Sequence, residues 1–224
     1  MSGPPDDRPL AIAHRGGNDL ETLEAALAAG VDYLEADLWF YRRRLEVRHD
    51  KTTGPLPILW ERWSLRPDFG PRLLLPAVLD AARGRGRLFL DLKGDAAGLA
   101  GALAKAVEDI GMGEDVAFCG GWSHLDRLRE LLPHALIYYT VGSVERLELL
   151  RPRLERGEIE GVSIDSRFLT AEIVSHLKSN GVRGIFTWAI ETPEAARQVV
   201  SWGVTGIISD NLHLLALIGR GELP

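Results

Sequence analysis

The sequence predicts an α/β protein, built as a single compact (β/α)₈ TIM barrel with a small hairpin insert after the second strand. Short, nearly continuous apolar runs alternate with segments of helical spacing along the chain, as expected of parallel strands that are covered on both faces. Eight such units within 224 residues suit a closed barrel. A doubly wound open sheet is the alternative, but it would usually have fewer strands and no closing eighth unit.

The strand predictions rest on eight apolar runs of high β propensity. They are LAIAH, DYLEADLWF, RLFLDLK, DVAFCGG, ALIYYTV, GVSIDS, GIFTWAI and GIISDN. Their ends lie near His14, Asp37, Asp91, Cys119, Thr140, Asp165, Trp188 and Ser209. The segment between the second and third ends is about twice as long as the others, and its stretch WFYRRRLEV predicts a hairpin that turns at Arg42–Arg44 and returns His49.

Helix boundaries are indicated by capping residues. Ser123 with Asp126 three residues later forms a capping-box pattern, and Thr192 precedes Pro193 at a first helical position. Three predicted helices end at a glycine that is followed by valine and then by a strand. These glycines are Gly30, Gly181 and Gly203.

Composition and charge argue against several classes of protein. The net charge is −6 and no Lys/Arg stripe is present, which argues against nucleic-acid binding. No apolar stretch approaches the length of a transmembrane segment. The single Cys119 suits a reducing compartment, and residues 1–10 lack a signal-peptide pattern. We therefore expect a cytoplasmic protein with a disordered lead at 1–8 and one barrel domain at 9–224, and the sequence leaves its oligomeric state open.

Ionisable residues gather at the ends of the first three predicted strands. The carboxyl ends of barrel strands converge on one mouth, where active sites are built. Residues two apart on a strand point to the same side, so Glu35 with Asp37, and Asp91 with Lys93, should project together. The cluster predicted at the mouth comprises His14, Arg15, Glu35, Asp37, His49, Asp91 and Lys93.

These residue types predict metal-assisted cleavage of a phosphodiester. Three crowded carboxylates require a compensating charge, and all-oxygen ligation suits a divalent cation, Mg²⁺ or Ca²⁺. The predicted ligands are Glu35, Asp37 and Asp91. His14 and His49 would act as acid and base near neutral pH. Arg15 and Lys93 would face the phosphate of a small-molecule substrate.

The ordered motifs HRGG, LEADLW and VRHDKTTG resemble those of the glycerophosphodiester phosphodiesterase family. The resemblance continues through LFLDLKG and through the stretch TWAIETPEAARQVVSWGVTGIISDN, and it covers most of the chain. It implies a TIM barrel that hydrolyses glycerophosphodiesters to an alcohol and glycerol phosphate. His14 and His49 match the family's acid–base pair, and Trp188 matches an aromatic residue beside the substrate.

The sequence also departs from that family. A Pro-Glu-Asn-Thr motif usually follows His-Arg-Gly, but this chain has NDLETLEAA, and Asp91 stands where Glu is usual. Asp91 and the compact first unit are similar to sphingomyelinase D-type phospholipases, which are typically secreted and carry disulfides. The stretch CGGW replaces the family's Ser-Phe at the fourth strand. These departures leave the reaction class unchanged and the substrate open.

Other hypotheses remain at this stage. The barrel could be catalytically silent and bind phosphorylated ligands, although such a protein would not need both imidazoles. A metal-dependent aldolase-like barrel would place ligands on later strands as well. Asp165 and Asp210 are interpreted as helix caps, and Cys119 has no base assigned to activate it. Trp60 and Trp63, three apart on a predicted helical face, are either buried under the hairpin or form an apolar surface. The remaining histidines lie in or beside helical patterns, where packing or surface roles are expected; they are His124, His134, His176 and His213.

Overall fold

The computed structural model describes residues 8–52, 58–61, 64–67 and 70–223. The strands are β1 (Leu10–Ala13), β2 (Tyr33–Tyr41), β3 (Arg44–Val47), β4 (Lys51–Thr52), β5 (Ile58–Glu61), β6 (Ser64–Pro67), β7 (Arg87–Leu92), β8 (Val116–Gly120), β9 (Leu136–Ile137), β10 (Tyr139–Val141), β11 (Gly161–Asp165), β12 (Gly184–Trp188) and β13 (Gly206–Ser209). The helices are α1 (Leu20–Ala28), α2 (Leu75–Ala82), α3 (Leu99–Ile110), α4 (Trp122–Leu131), α5 (Val144–Glu155), α6 (Ala171–Ser179), α7 (Pro193–Trp202) and α8 (Leu212–Gly219), with a 3₁₀ turn at Ser166–Phe168.

The parallel strands close into a ring. β1 pairs with both β2 and β13, and parallel pairing continues through β7 and β8 on one side and through β12 and β11 on the other. β9 pairs with β8 and β10 with β11. Only Tyr138 separates β9 from β10, and its N–H donates to the Phe118 carbonyl at 2.8 Å. Residues 136–141 therefore act as one strand of the barrel and close the ring between β8 and β11. This closure confirms the predicted (β/α)₈ barrel and excludes the open sheet.

Of the two helix N-caps predicted from the sequence, the structure confirms one and contradicts the other. Thr192 caps α7 through its hydroxyl, which accepts the Ala195 N–H at 3.2 Å. The predicted capping box at Ser123 is wrong, because the N-cap of α4 is Gly121, two residues earlier, and the helix begins at Trp122 without a side-chain cap. Trp122 is buried and donates its indole N–H to the Thr140 carbonyl at 2.9 Å. This tertiary contact sets the start of the helix.

The barrel interior is apolar near the amino ends of the strands and polar near their carboxyl ends. Side chains alternate along β2, so that Tyr33, Glu35 and Asp37 point inward while their neighbours pack against the helices. Aromatic rings fill the half near the amino ends of the strands, where the rings of Tyr138 and Phe186 stack with centroids 4.0 Å apart. The complete inner cluster is Ile12, Tyr33, Phe89, Ala117, Cys119, Tyr138, Phe186 and Ile208. This apolar cluster shields the carboxylates at the mouth from solvent at the opposite end of the barrel.

The predicted hairpin after the second strand is confirmed. β3 runs antiparallel to β2, with Leu38 opposite Val47 and Tyr41 opposite Arg44. Its two turn residues, Arg42 and Arg43, have φ values of 47° and 63°, which suit the twist of a tight hairpin. The insert continues into a separate three-stranded antiparallel sheet, β4–β5–β6.

Trp60 of the insert does not lie on a helix. Trp60 belongs to strand β5, where Leu65 of β6 is its cross-strand partner, so the predicted helical face is wrong at this residue. Trp60 is 42% exposed. Trp63 lies outside the described residues. Strand pairing within the insert overrides the local helical spacing.

The start of the described chain is held against the barrel. Arg8 donates to both carboxylate oxygens of Asp32, at 2.7 and 2.9 Å. The rest of the predicted lead, residues 1–7, lies outside the described residues, and the division into lead and barrel domain stays a prediction. Among the described helices, none has the length and hydrophobicity that crossing a bilayer requires.

Candidate functional site

The loop after β1 folds down onto the neighbouring strand. Arg15 has a φ of 52°, which directs its backbone N–H to Oε2 of Glu35 at 2.6 Å. The next loop contact is the Gly17 N–H, which donates to the Glu35 carbonyl at 2.8 Å. A Cβ at Gly17 would lie 2.9 Å from the Cβ of Ala36. The absence of a side chain at Gly17 therefore permits the close approach that brings the loop backbone, including the Arg15 N–H, onto Glu35 of β2.

Three carboxylates converge at the mouth. Glu35 and Asp37 come from β2, and Asp91 of β7 is the register partner of Asp37. One oxygen from each carboxylate lies within 4.8 Å of the others. Glu35 and Asp37 are only 4% and 2% exposed. The structure thus brings together the three predicted metal ligands in a largely dry environment.

Lys93 lies among these carboxylates. Its Nζ is 2.9 Å from Oδ1 of Asp37, and it also donates a hydrogen bond to Asp91. Burial by itself would lower the pKa of Lys93, but the charges of Asp91, Asp37 and Glu35 raise it overall. Lys93 therefore keeps its positive charge at the site.

The two carboxylates of β2 have pKa values shifted in opposite directions. Burial, followed by the charges of Asp37 and Asp91, raises the pKa of Glu35 well above its ordinary value. Burial also acts to raise the pKa of Asp37, but the adjacent Lys93 ammonium and a hydrogen bond from Asn18 lower it overall. Without a cation, the cluster therefore favours a neutral Glu35 beside a charged Asp37.

The donor set fits a hard divalent cation. The ligating atoms are all carboxylate oxygens, which Mg²⁺ and Ca²⁺ both prefer. A second positive charge would also relieve the repulsion that raises the pKa of Glu35. The carboxylates do not discriminate between the two metals.

The two predicted catalytic histidines line one cavity of about 520 Å³. His14 follows β1, and its Nδ1 lies 2.9 Å from Oδ1 of Asp210. His49 follows β3, where the Arg48 N–H donates to the Asp37 carbonyl at 3.0 Å. That bond fixes the returning hairpin strand against β2, and so brings a residue twelve positions beyond Asp37 back to the mouth.

The cavity and the carboxylate cluster are neighbouring parts of the mouth. Arg15 lines the cavity, and its Nε lies 4.0 Å from Oδ2 of Asp37. The described cavity lining does not include the three carboxylates, Lys93 or Trp188. Trp188 ends β12, half-buried above Phe186. Of the predicted substrate-facing residues, Arg15 is therefore the one that connects the cavity to the cluster.

Two residues of the site were missed from the sequence. Asn18 makes two hydrogen bonds with Asp37. The Asn18 amide nitrogen donates to Oδ2 of Asp37 at 2.7 Å, and the Asn18 amide oxygen accepts the Asp37 backbone N–H at 2.8 Å. The helix cap that the sequence predicts at Asp210 is wrong, because Asn211 caps α8 and Asp210 contacts His14. The position of Asp210 directly after the last strand was the available signal.

The structure confirms two other interpretations of strand-end residues. Asp165 is a cap, since its Oδ1 accepts the Arg167 N–H at 2.9 Å at the start of the 3₁₀ turn. Burial and the charges of Asp91 and Glu35 raise the pKa of the Cys119 thiol well above its ordinary value. The thiol is therefore kept protonated, which argues against a nucleophile.

The raised pKa of Glu35 predicts how stability depends on pH. In the cation-free protein, the folded state binds a proton on Glu35 at pH values where the unfolded chain has released it. The free energy of unfolding should therefore fall as pH rises through the folded pKa of Glu35. Urea unfolding between about pH 5 and pH 8 in EDTA, in steps of pH, measures this slope. Glu35→Gln should flatten it, and equal slopes for the two proteins would contradict the assignment.

Comparisons with solved structures support the fold. A protein from Silicibacter pomeroyi, assigned as a glycerophosphoryl diester phosphodiesterase, matches with a TM-score of 0.80 and 19% identity over 98% of this chain and 96% of that one. A glycerophosphodiester phosphodiesterase from Parabacteroides distasonis matches with a TM-score of 0.76 and 19% identity over 98% of this chain and 100% of that one. An Oleispira antarctica phosphodiesterase, solved with its product sn-glycerol-3-phosphate, matches with a TM-score of 0.74 and 18% identity over 94% of this chain and 96% of that one.

No protein-family model matches the chain, and no curated protein matches it in sequence. The matches to solved structures nevertheless extend over nearly the whole length of both partners. The resemblance that the motifs predicted is therefore confirmed at the level of the fold: the chain has the TIM-barrel architecture of glycerophosphodiester phosphodiesterases.

Proposed function

We propose that this protein is a metal-dependent phosphodiesterase that hydrolyses glycerophosphodiesters to an alcohol and glycerol phosphate. The observation that carries the proposal is the pairing of a three-carboxylate cluster, with ligating oxygens within 4.8 Å, with a cavity lined by two histidines. The structural neighbour from O. antarctica contains glycerol phosphate as its product. The substrate is a small molecule, and the single cysteine favours the cytoplasm as its compartment.

The carboxylates would hold the cation in this proposal. Glu35, Asp37 and Asp91 would bind Mg²⁺ or Ca²⁺, which supplies Lewis-acid stabilisation of phosphate charge when bound. Arg15 and Lys93 are the cations of this chain that face the same phosphate. Trp188 would pack beside the organic part of the substrate.

The histidines would move the protons. One imidazole takes the proton from the attacking oxygen, and the other gives a proton to the leaving oxygen. Both rings line the same cavity, so a phosphodiester bound there would lie within reach of each. The resemblance implies that a neighbouring glycerol hydroxyl attacks phosphorus before water completes hydrolysis.

A direct assay tests this function. We expect the wild-type protein to hydrolyse glycerophosphocholine or bis-(p-nitrophenyl) phosphate with Mg²⁺ or Ca²⁺, and to lose that activity in EDTA, because the carboxylates alone repel the phosphate. Restoring the cation should restore the rate. Activity that is insensitive to EDTA would contradict the metal-dependent mechanism, and inactivity on both substrates with both metals would favour a silent phosphate-binding barrel.

A second candidate is a phospholipase of the sphingomyelinase D type. The cavity wall is apolar at Val47, Leu59 and Leu212, and the adjacent sheet exposes Trp60 and Leu65, at 42% and 67%. These apolar surfaces favour a substrate that carries an acyl chain. Release of choline from lysophosphatidylcholine in the same assay, at a higher kcat/KM than hydrolysis of glycerophosphocholine, would favour this candidate.

A further inference from the structure

We propose that Asp210 is a positioning residue that fixes the proton on Nδ1 of His14 and so makes Nε2 the nitrogen that exchanges a proton with the substrate. The inference rests on the proposed phosphodiesterase function. Oδ1 of Asp210 lies 2.9 Å from Nδ1 of His14. Asp210 also lines the cavity that His14 and His49 share.

The chemistry of the pair decides the tautomer. An ionised carboxylate only accepts hydrogen bonds, so the imidazole nitrogen facing it must carry a proton in both the neutral and the charged ring. In the neutral ring, Nε2 is then the free base. A carboxylate that holds an imidazole in this way fixes its orientation and stabilises the imidazolium that forms during catalysis.

The backbone places the two residues side by side. Ala13 and Ser209 are register partners on β1 and β13, and the His14 N–H donates to the Ser209 carbonyl at 2.9 Å. His14 and Asp210 are the next residues along these two parallel strands. Their contact therefore follows from the closure of the barrel between its first and last strands.

A second carboxylate holds the Asp210 turn. Oε1 of Glu191 accepts the Asp210 N–H at 3.3 Å, and Oε2 accepts the Ser209 hydroxyl at 3.0 Å. Asn211 donates its side-chain amide to the Glu191 carbonyl at 3.0 Å. The turn after β13 is thereby tied to the loop after β12, which keeps Asp210 directed at His14 although its side chain is 65% exposed.

Asp210 has no capping role that would explain its position. The N-cap of α8 is Asn211, whose Oδ1 accepts the Leu214 N–H at 3.1 Å. Removal of the exposed Asp210 carboxylate should therefore leave α8 and the fold in place. This separation of roles makes the proposal testable by substitution.

Kinetics supply the first test. We expect Asp210→Ala to lower kcat for glycerophosphocholine by about 10²-fold with little change in KM, since proton transfer is impaired and binding is not. Asp210→Glu should recover part of that loss. Asp95→Ala is the matched control, because it removes another exposed carboxylate that follows a barrel strand, and it should retain wild-type kcat. An unchanged kcat in Asp210→Ala, or a loss equal to that of Asp95→Ala, would overturn the proposal.

Nitrogen-15 NMR of the histidine rings supplies a test that does not depend on activity. The neutral His14 ring, assigned by comparison with His14→Gln, should carry its proton on Nδ1 in the wild type and shift toward the Nε2–H tautomer in Asp210→Ala. The same tautomer in both proteins would refute the proposal. If the tautomer changes but no phosphodiester is hydrolysed by the wild type, the proposed function fails while the positioning role of Asp210 stands.

Discussion

The variants His14→Ala and His49→Ala are each expected to lose about 10³-fold in kcat on glycerophosphocholine in the presence of the cation. Both rings line the cavity beside Arg15, and each would transfer one of the two protons that the reaction requires. Because the two transfers serve one reaction, the double variant should lose little more than the worse single variant. Steady-state kinetics at saturating cation measures these losses.

A histidine outside the cavity lining controls for nonspecific effects of the substitutions. His213 is exposed in the first turn of α8, one residue from the cavity-lining Leu212. His213→Ala should keep wild-type kcat, and circular dichroism should show the same fold for all these variants. Full activity in either His14→Ala or His49→Ala would remove that residue from the mechanism.

Asp37→Asn should weaken cation binding by at least about 10²-fold and lower kcat/KM by about 10³-fold, while leaving the fold almost unchanged. Asparagine loses the ligand charge but retains an oxygen that can accept from Asn18 or Lys93. It also removes the charge that repels Glu35, which offsets part of the lost ion pair with Lys93. Because either Asn18 or Lys93 then loses its acceptor, we expect the free energy of unfolding to fall by about 1–3 kcal/mol while the fold is retained. Calorimetric titration with Mg²⁺ or Ca²⁺ and urea unfolding measure the two quantities.

Asp32→Asn is the matched control for this prediction. Asp32 immediately precedes the same strand at its opposite end, where its carboxylate accepts from Arg8 and from the Ala11 N–H at 2.8 Å. Its substitution should lower stability by about 1–2 kcal/mol and leave cation affinity unchanged. If Asp37→Asn instead unfolds the protein, or binds the cation as tightly as the wild type does, Asp37 is a structural residue and not a ligand.

The convergence of the three proposed metal ligands was predictable because periodicity determines where their side chains point. Along β2, the spacing of Glu35 and Asp37 places both on the inner face, and strand-by-strand alternation places Asp91 level with them. The hairpin was predictable for a similar reason, since the polar arginine tip lies between two runs of strand character. Its consequence, the return of His49 to the mouth, needed no further information.

The partners of these residues were not predictable. Asn18 follows two glycines in a loop, and only the descent of that loop onto β2 brings it to Asp37. The start of α4 was misplaced because the buried indole of Trp122 outweighs a capping pattern. Trp60 was assigned to a helical face because short apolar stretches do not distinguish a helix from paired strands.

The sequence alone determined the class of fold, the end of the barrel at which the ionisable groups gather and the identity of the acidic, basic and imidazole groups there. These follow from the local alternation of side chains and the order of strands, which are properties of neighbouring residues. Only the tertiary structure decided which groups touch: that Asp210 contacts His14, that Lys93 lies between two carboxylates, and that Glu35 is buried, which raises its pKa. Such contacts depend on ring closure and desolvation, which join residues up to 196 positions apart and leave no periodic trace in the chain.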